Sequence, residues 1–149
     1  MAVKTVKLRA MLKRKIGEIK SPTVMRQIHK ALAEMCDPYV PFKEGNLSSK
    51  RNIQVSEKGV RYTMPYARYQ YYGQVYGPNV PIKDKNGNVL RYYTPKGLKK
   101  FPTGDEISYS KEKHPQACSR WDQAMLRDHE AEFLARVREI ILKRRKKRG

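Results

Sequence analysis

Between residues 73 and 103 the chain carries four glycines (73, 77, 87 and 97) and four prolines (78, 81, 95 and 102). Proline removes a backbone donor and clashes with the preceding turn, and glycine raises the entropy cost of a helix. No regular helix crosses such a stretch. Within it, Asn86-Gly87 is a strong hairpin turn, with Ile82 on one side and Val89, Leu90, Tyr92 and Tyr93 on the other. Ordinary connections run about 4–6 residues, so a segment this long reads as a projecting hairpin arm with a function of its own.

The flanks carry the periodic patterns. Ser21-Pro22 is a helix start, because Ser caps and Pro suits the first turn. Val24, Met25, Ile28, Leu32 and Met35 follow at intervals of three and four, as far as Cys36. Asp37-Pro38 ends that helix, since the residue before a proline avoids helical dihedrals, and Pro38–Pro41 reads as extended. From Trp121 to about Lys143 one long helix is expected, with Trp121, Ala124, Met125, Ala131, Leu134, Val137 and Ile141 as its stripe. Ser119 is its candidate N-cap, and Asp122 lies in the positive first turn.

The remaining elements are shorter. Residues 3–8 read as a strand, and Met11, Leu12, Ile16 and Ile19 as a helix over 9–19. Leu47–Val55 and Val60–Met64 read as strands joined through Ser56-Glu57-Lys58-Gly59. Pro65 opens a short element, Tyr66 to Tyr72, that Gly73 ends, and Ile107–Tyr109 reads as a last strand. The expected fold class is α+β: a small antiparallel sheet packed against two amphipathic helices, with the long hairpin projecting from it. The boundaries are a basic N-terminal arm (1–20), a single domain (21–142, with the hairpin at 73–103) and a basic C-terminal tail (143–149).

Charge narrows the class of partner. Among 149 residues, 33 Lys and Arg oppose 14 Asp and Glu, a net +19. Residues 1–20 and the run Lys143-Arg144-Arg145-Lys146-Lys147-Arg148 contribute +6 each. Such blocks attract polyanions (nucleic acid, anionic lipid or an acidic protein surface) and fray when free. Lys13, Arg14, Lys15 and Lys143 through Arg148 are the candidates for that contact. A hydrophobic content of 39% is enough for a core and too high for a fully disordered chain. No apolar run approaches the ~20 residues that span a bilayer. No apolar core of a secretory signal opens the chain, and two cysteines exclude a disulfide-dense scaffold.

No catalytic constellation emerges, and no cofactor or metal site is expected. Cys36 and Cys118 are 82 positions apart, without a Cys-x-x-Cys pair. His114 and Cys118 are four apart, as a nucleophile and base could be, but no third group orients them. A turn at His114-Pro115 with Cys118 as a small core residue is the simpler reading.

Tyrosine is the compositional oddity. Six of ten fall between 62 and 76 (Tyr62, Tyr66, Tyr69, Tyr71, Tyr72 and Tyr76), interleaved with Arg61 and Arg68. Rings beside arginine can stack bases of single-stranded nucleic acid. The same pair of residue types is enriched at protein–protein interfaces. Some of these rings could equally pack against the long helix.

Five segments now stand in order: Pro38-Tyr39-Val40-Pro41, Gly45-Asn46-Leu47-Ser48, Pro65-Tyr66-Ala67-Arg68-Tyr69-Gln70-Tyr71-Tyr72-Gly73, His114-Pro115-Gln116-Ala117 and Trp121-Asp122-Gln123-Ala124-Met125. Over about residues 30–125 this series resembles the minor capsid proteins of tailed bacteriophages of Gram-positive hosts. That family is related to head–tail joining and tail-completion proteins. Ala117-Cys118-Ser119-Arg120 replaces the glycine-rich lead-in frequent before the tryptophan. Both basic termini lie outside the resemblance.

The resemblance implies a structural protein of the virion neck and not an enzyme, made in the host cytoplasm. It implies a homo-oligomeric ring, hexamer or dodecamer, between portal and tail. The neighbours it implies are a portal, adaptor or head-closure protein on one side and a tail terminator or tail tube protein on the other. On this reading the basic termini could neutralise an acidic partner surface or touch packaged DNA non-specifically, and no membrane is expected. On this reading the interface candidates are Tyr39, Phe42, Leu47, Arg61, Tyr66, Arg68, Tyr69, Tyr71, Tyr72, Tyr76, Tyr92 and Tyr93. The alternative is a small basic nucleic-acid-binding module that uses Arg/Tyr stacking and the basic termini.

Overall fold

A computed structural model describes residues 6–149. Its helices are α1 (Val6–Lys15), α2 (Pro22–Cys36), α3 (Ala67–Tyr72) and α4 (Trp121–Arg148). Its strands are β1 (Ile53–Val55), β2 (Val60–Tyr62), β3 (Gln74–Gly77), β4 (Val80–Lys83), β5 (Val89–Tyr93) and β6 (Phe101–Glu106). The class is α+β, as expected. The strands form three separate two-stranded antiparallel ribbons, β1–β2, β3–β6 and β4–β5, in place of one sheet. The proline- and glycine-rich linkers at 78–79 and 94–100 break the ladder, so β4–β5 is nested inside β3–β6 without joining it.

The core lies where α2 packs on α4, with α1 and the β1–β2 hairpin against them. Ser21 caps α2 as expected, its Oγ accepting the Val24 N–H at 3.4 Å. One helical face then buries Val24, Met25, Ile28, Leu32 and Cys36. Met35 is only half-buried. Helix α1 departs from expectation. Residues 6–8, read as strand, are helical, because Leu8 and Leu12, one turn apart, are both buried in the core. The rest of the expected strand lies outside the described residues. The helix stops at Lys15 instead of running to 19, since Gly17 takes φ +124° and turns the chain toward Ser21. The described part of the basic N-terminal segment is thus anchored through its leucines.

Three further corrections follow the chain. Asp37–Tyr39 is a 3-10 turn and not an extended run. The expected strand over 47–55 is confined to Ile53–Val55, because Lys50–Asn52 forms a second 3-10 turn and Leu47 is drawn into the core. Residues 107–109 are not a strand. The Ile107 N–H donates to the Gly73 carbonyl at 2.9 Å, and the Tyr109 hydroxyl donates to the Gln70 carbonyl at 2.5 Å.

Helix α4 starts at Trp121, but its N-cap is Arg120, left-handed at φ 47° and without a side-chain cap bond, and not Ser119. His129 leaves helical dihedrals (φ −134°, ψ 30°) and kinks the helix. A straight helix would bring the Met125 face back at 132. After the kink it returns at Phe133, a shift of one residue. The buried set is therefore Trp121, Ala124, Met125, Phe133, Leu134 and Val137, and Ala131, placed in the expected stripe, is exposed. The Lys/Arg run is helical: residues 143–148 are the last turns of α4. Cations at a helix C-terminus oppose the partial charge of the unpaired carbonyls, which favours this continuation.

Candidate interaction surfaces

The tyrosine cluster divides into a buried layer and an exposed one. Trp121 is fully buried and meets Tyr62 and Tyr71 edge to face, with ring centroids 5.2 and 5.0 Å away. Such pairs add about 0.5–1.5 kcal/mol beyond area burial. The Tyr71 hydroxyl donates to Asp122 Oδ1 at 2.7 Å, and the Arg120 N–H donates to the Tyr71 carbonyl at 2.8 Å. Burial, reinforced by the Asp122 carboxylate, pushes the Tyr71 hydroxyl pKa up. Helix α3 ends on Gly73 at φ +71°. A Cβ there would come within 2.9 Å of Ser119 Cβ, so the glycine lets α3 sit against the start of α4.

Tyr66, Tyr69 and Tyr72 remain exposed on α3 and its N-cap. Tyr69 tilts against the half-buried Tyr76 of β3 at 4.7 Å, and the Arg120 guanidinium lies 5.4 Å from the Tyr72 centroid. Arg61 and Arg68 are exposed. Tyr39 and Leu47 are buried and belong to the core, as Tyr71 does, so these three support the surface without forming it. The Tyr39 hydroxyl donates to Asp128 Oδ2 at 2.8 Å, and burial together with that carboxylate pushes its pKa up to about 12. Phe42 is half-buried, its ring 4.8 Å from that of His114.

His114 and Cys118 are both used to pin the segment before α4. The His114 Nδ1–H donates to the Val40 carbonyl at 2.7 Å, and the Cys118 N–H donates to the Tyr39 carbonyl at 3.1 Å. Burial pushes the Cys118 thiol pKa up, the reverse of what activates a nucleophile. Both cysteines are free thiols. Among the described residues no group of His, Cys, Asp or Glu has the arrangement of a metal site.

The arm of residues 73–106 is the second surface. Asp84 closes its tip: Oδ1 accepts the N–H groups of Asn86 and Asn88 at 2.8 and 2.9 Å, and Gly87 takes φ +85°. These bonds hold the exposed Asp84 carboxyl below its usual pKa. Register sets Val80 opposite Tyr93 and Pro81 opposite Tyr92. Side chains alternate along a strand, so Val80, Ile82 and Tyr93 share one face, and Pro81 and Tyr92 the other, while Leu90 sits at the register shift between the Arg91 and Val89 pairs. Every residue of β5 and β6 is exposed: Leu90 is 68% accessible, Tyr92 63% and Phe101 61%. Sequence reasoning chose Tyr92 and Tyr93 but passed over Leu90, Leu98 and Phe101. The signal for Leu90 was its place beside Tyr92 and Tyr93 after the hairpin turn.

The third surface is basic. Lys13, Arg14 and Lys15 are exposed on the last turn of α1. Lys143, Arg145, Lys146, Lys147 and Arg148 are exposed on the last turns of α4, and Arg144 is half-buried.

Compared with known protein families, the sequence matches the minor capsid protein family over residues 4–143. The chain belongs to the minor capsid protein family of bacteriophages. No curated protein and no solved structure gives a match. Membership makes this minor capsid protein a structural component of a phage particle, in contact with other virion proteins. The match takes in α1 and nearly all of α4 as well as the motif-bearing centre. Among the described residues, no helix of this minor capsid protein is long and apolar enough to cross a membrane.

Proposed function

We propose that this minor capsid protein works in the virion neck, as a head–tail connector or tail-completion component that assembles as a ring between portal and tail. The observation that carries the reading is the arm. A two-stranded ribbon with apolar side chains on both faces has no core of its own and is marginal in water. Exposed apolar surface of this kind marks an interaction site. The outer edge of β5 has no strand partner among the described residues and is open to strand addition. An arm handed by each subunit to the next makes a head-to-tail contact, which closes into a ring when the rotation permits. The exposed rings of Tyr66, Tyr69 and Tyr72 and the guanidinium groups of Arg61 and Arg68 supply a second face, toward the next copy, the portal side or the tail side.

Electron microscopy of particles made without the protein tests this. The expected result is filled heads and finished tails that are not joined. Normally joined particles would end the neck reading and leave family membership untouched. Particles carrying Leu90→Ser with Tyr92→Ser test the arm: the same unjoined heads are expected from a chain that still folds.

A further inference from the structure

The basic end of α4 does something the arm does not. The acidic groups around it are already engaged: Arg136 pairs with Glu34, Lys143 Nζ lies 3.0 Å from Glu139 Oε1, and Lys20 lies 4.0 Å from Glu18. Lys30, Arg144, Arg145, Lys146, Lys147 and Arg148 are left without an acidic partner among the described residues.

Two depressions flank the end of the helix. One, of about 480 Å³, lies between α4 and α2, with Lys30, Lys146 and Lys147 in its wall. The other, of about 340 Å³, lies between α4 and the α1–α2 link, with Lys20, Arg145 and Arg148. Arg144 lines both, and its buried Nε has no acceptor. No aromatic side chain lines either depression.

We infer that these two depressions, joined at Arg144, form a seat for the phosphodiester backbone of double-stranded DNA, held by charge without base contacts. Six consecutive cations rise about 9 Å along α4, and duplex DNA presents one negative charge per about 1.7 Å of axis. An acidic protein partner fits less well. Lysine is depleted at protein interfaces and aromatic anchors are enriched there, and here the proportions are reversed. The inference does not depend on the neck assignment.

The test is fluorescence anisotropy of a labelled random-sequence duplex with the full chain, across about 50–200 mM salt. The logarithm of affinity is expected to fall linearly with that of salt, with a slope of about −0.9 per phosphate neutralised. The variant Lys146→Gln/Lys147→Gln/Arg148→Gln changes three solvent-exposed side chains and none of the core. It is expected to make the slope shallower by about 2–3 and to weaken binding at least ~10-fold at the lowest salt. The matched variant Lys96→Gln/Lys99→Gln/Lys100→Gln removes the same charge from the arm and is expected to leave the slope in place. Equal losses from both variants would mean that net charge alone attracts DNA, and the seat is then refuted. Absent DNA binding, or poly-glutamate bound as tightly as the duplex, overturns it too, the latter in favour of an acidic protein partner.

Discussion

The helical body and the arm use the same residue types to opposite ends. In the body, Trp121, Tyr62, Phe133, Leu12, Ile28 and Met125 are almost wholly shielded from water. In the arm, Leu90, Tyr92, Tyr93, Leu98 and Phe101 stand in solvent, though they are as apolar as the residues of the core. Burial of such a side chain contributes about 1.5–3 kcal/mol. The body has taken that contribution within one chain. The arm has left it for an encounter, and on the neck reading a second subunit supplies the missing half. The difference separates what keeps this minor capsid protein folded from what it has available for assembly.

The contrast can be broken most directly at Trp121. Replacing it with alanine removes the ring between Tyr62 and Tyr71 and is expected to cost about 3–5 kcal/mol, read from the urea midpoint of the isolated chain. A cost below about 1 kcal/mol would place the core elsewhere. Next comes Tyr71→Phe, which strips the part-buried Asp122 carboxylate of its 2.7 Å hydrogen bond. Because that acceptor is charged, about 1.5–3 kcal/mol is expected from the same measurement.

Acid gives a smaller effect that belongs to the body alone. His29 is fully buried on α2, and its Nδ1–H donates to the Ser56 carbonyl at 2.8 Å. Burial lowers its pKa below the ordinary value of 6.5. The unfolded chain therefore takes up a proton near pH 6.5 that the folded chain refuses. Stability is complete above that pH and declines as pH falls toward the depressed folded value. Unfolding midpoints recorded from neutral pH down through this window should fall, and His29→Gln should flatten the decline. A slope unchanged by His29→Gln would assign the effect to other groups.

The smallest expected change sharpens the comparison most. Leu90→Ser with Tyr92→Ser in the arm should shift the stability of the isolated chain by no more than about 0.5 kcal/mol each, as surface substitutions do. On the neck reading, the same pair should abolish head–tail joining in particles. A large loss of stability would instead make the arm part of the core.

Features that are local in cause could be read in advance. Ser21-Pro22 begins α2, Gly73 ends α3, Asn86-Gly87 turns the arm, and Trp121 opens α4. Each depends on residues within a turn or two of one another, and the motif series that marks the family is of the same kind. Features with distant causes were missed. Helix α1 begins before the expected position because Leu8 reaches the core. The α4 stripe slips by one residue at His129, where the sequence has neither proline nor glycine to announce a kink. Tyr69 and Tyr71 are two positions apart, and nothing in the sequence says that the first faces Tyr76 and solvent while the second faces Trp121.

By itself the sequence determined the α+β class, the capped helix, the arm, the placement of charge and the family, because caps, turns and runs of like charge act between neighbours along the chain. Only the tertiary structure decided which tyrosines became core and which stayed surface, and that the basic run would end a helix beside α2 and the α1–α2 link. Burial is settled by what arrives from far away in sequence: Trp121 closes over Tyr71 from fifty positions along the chain, and no local pattern carries that information.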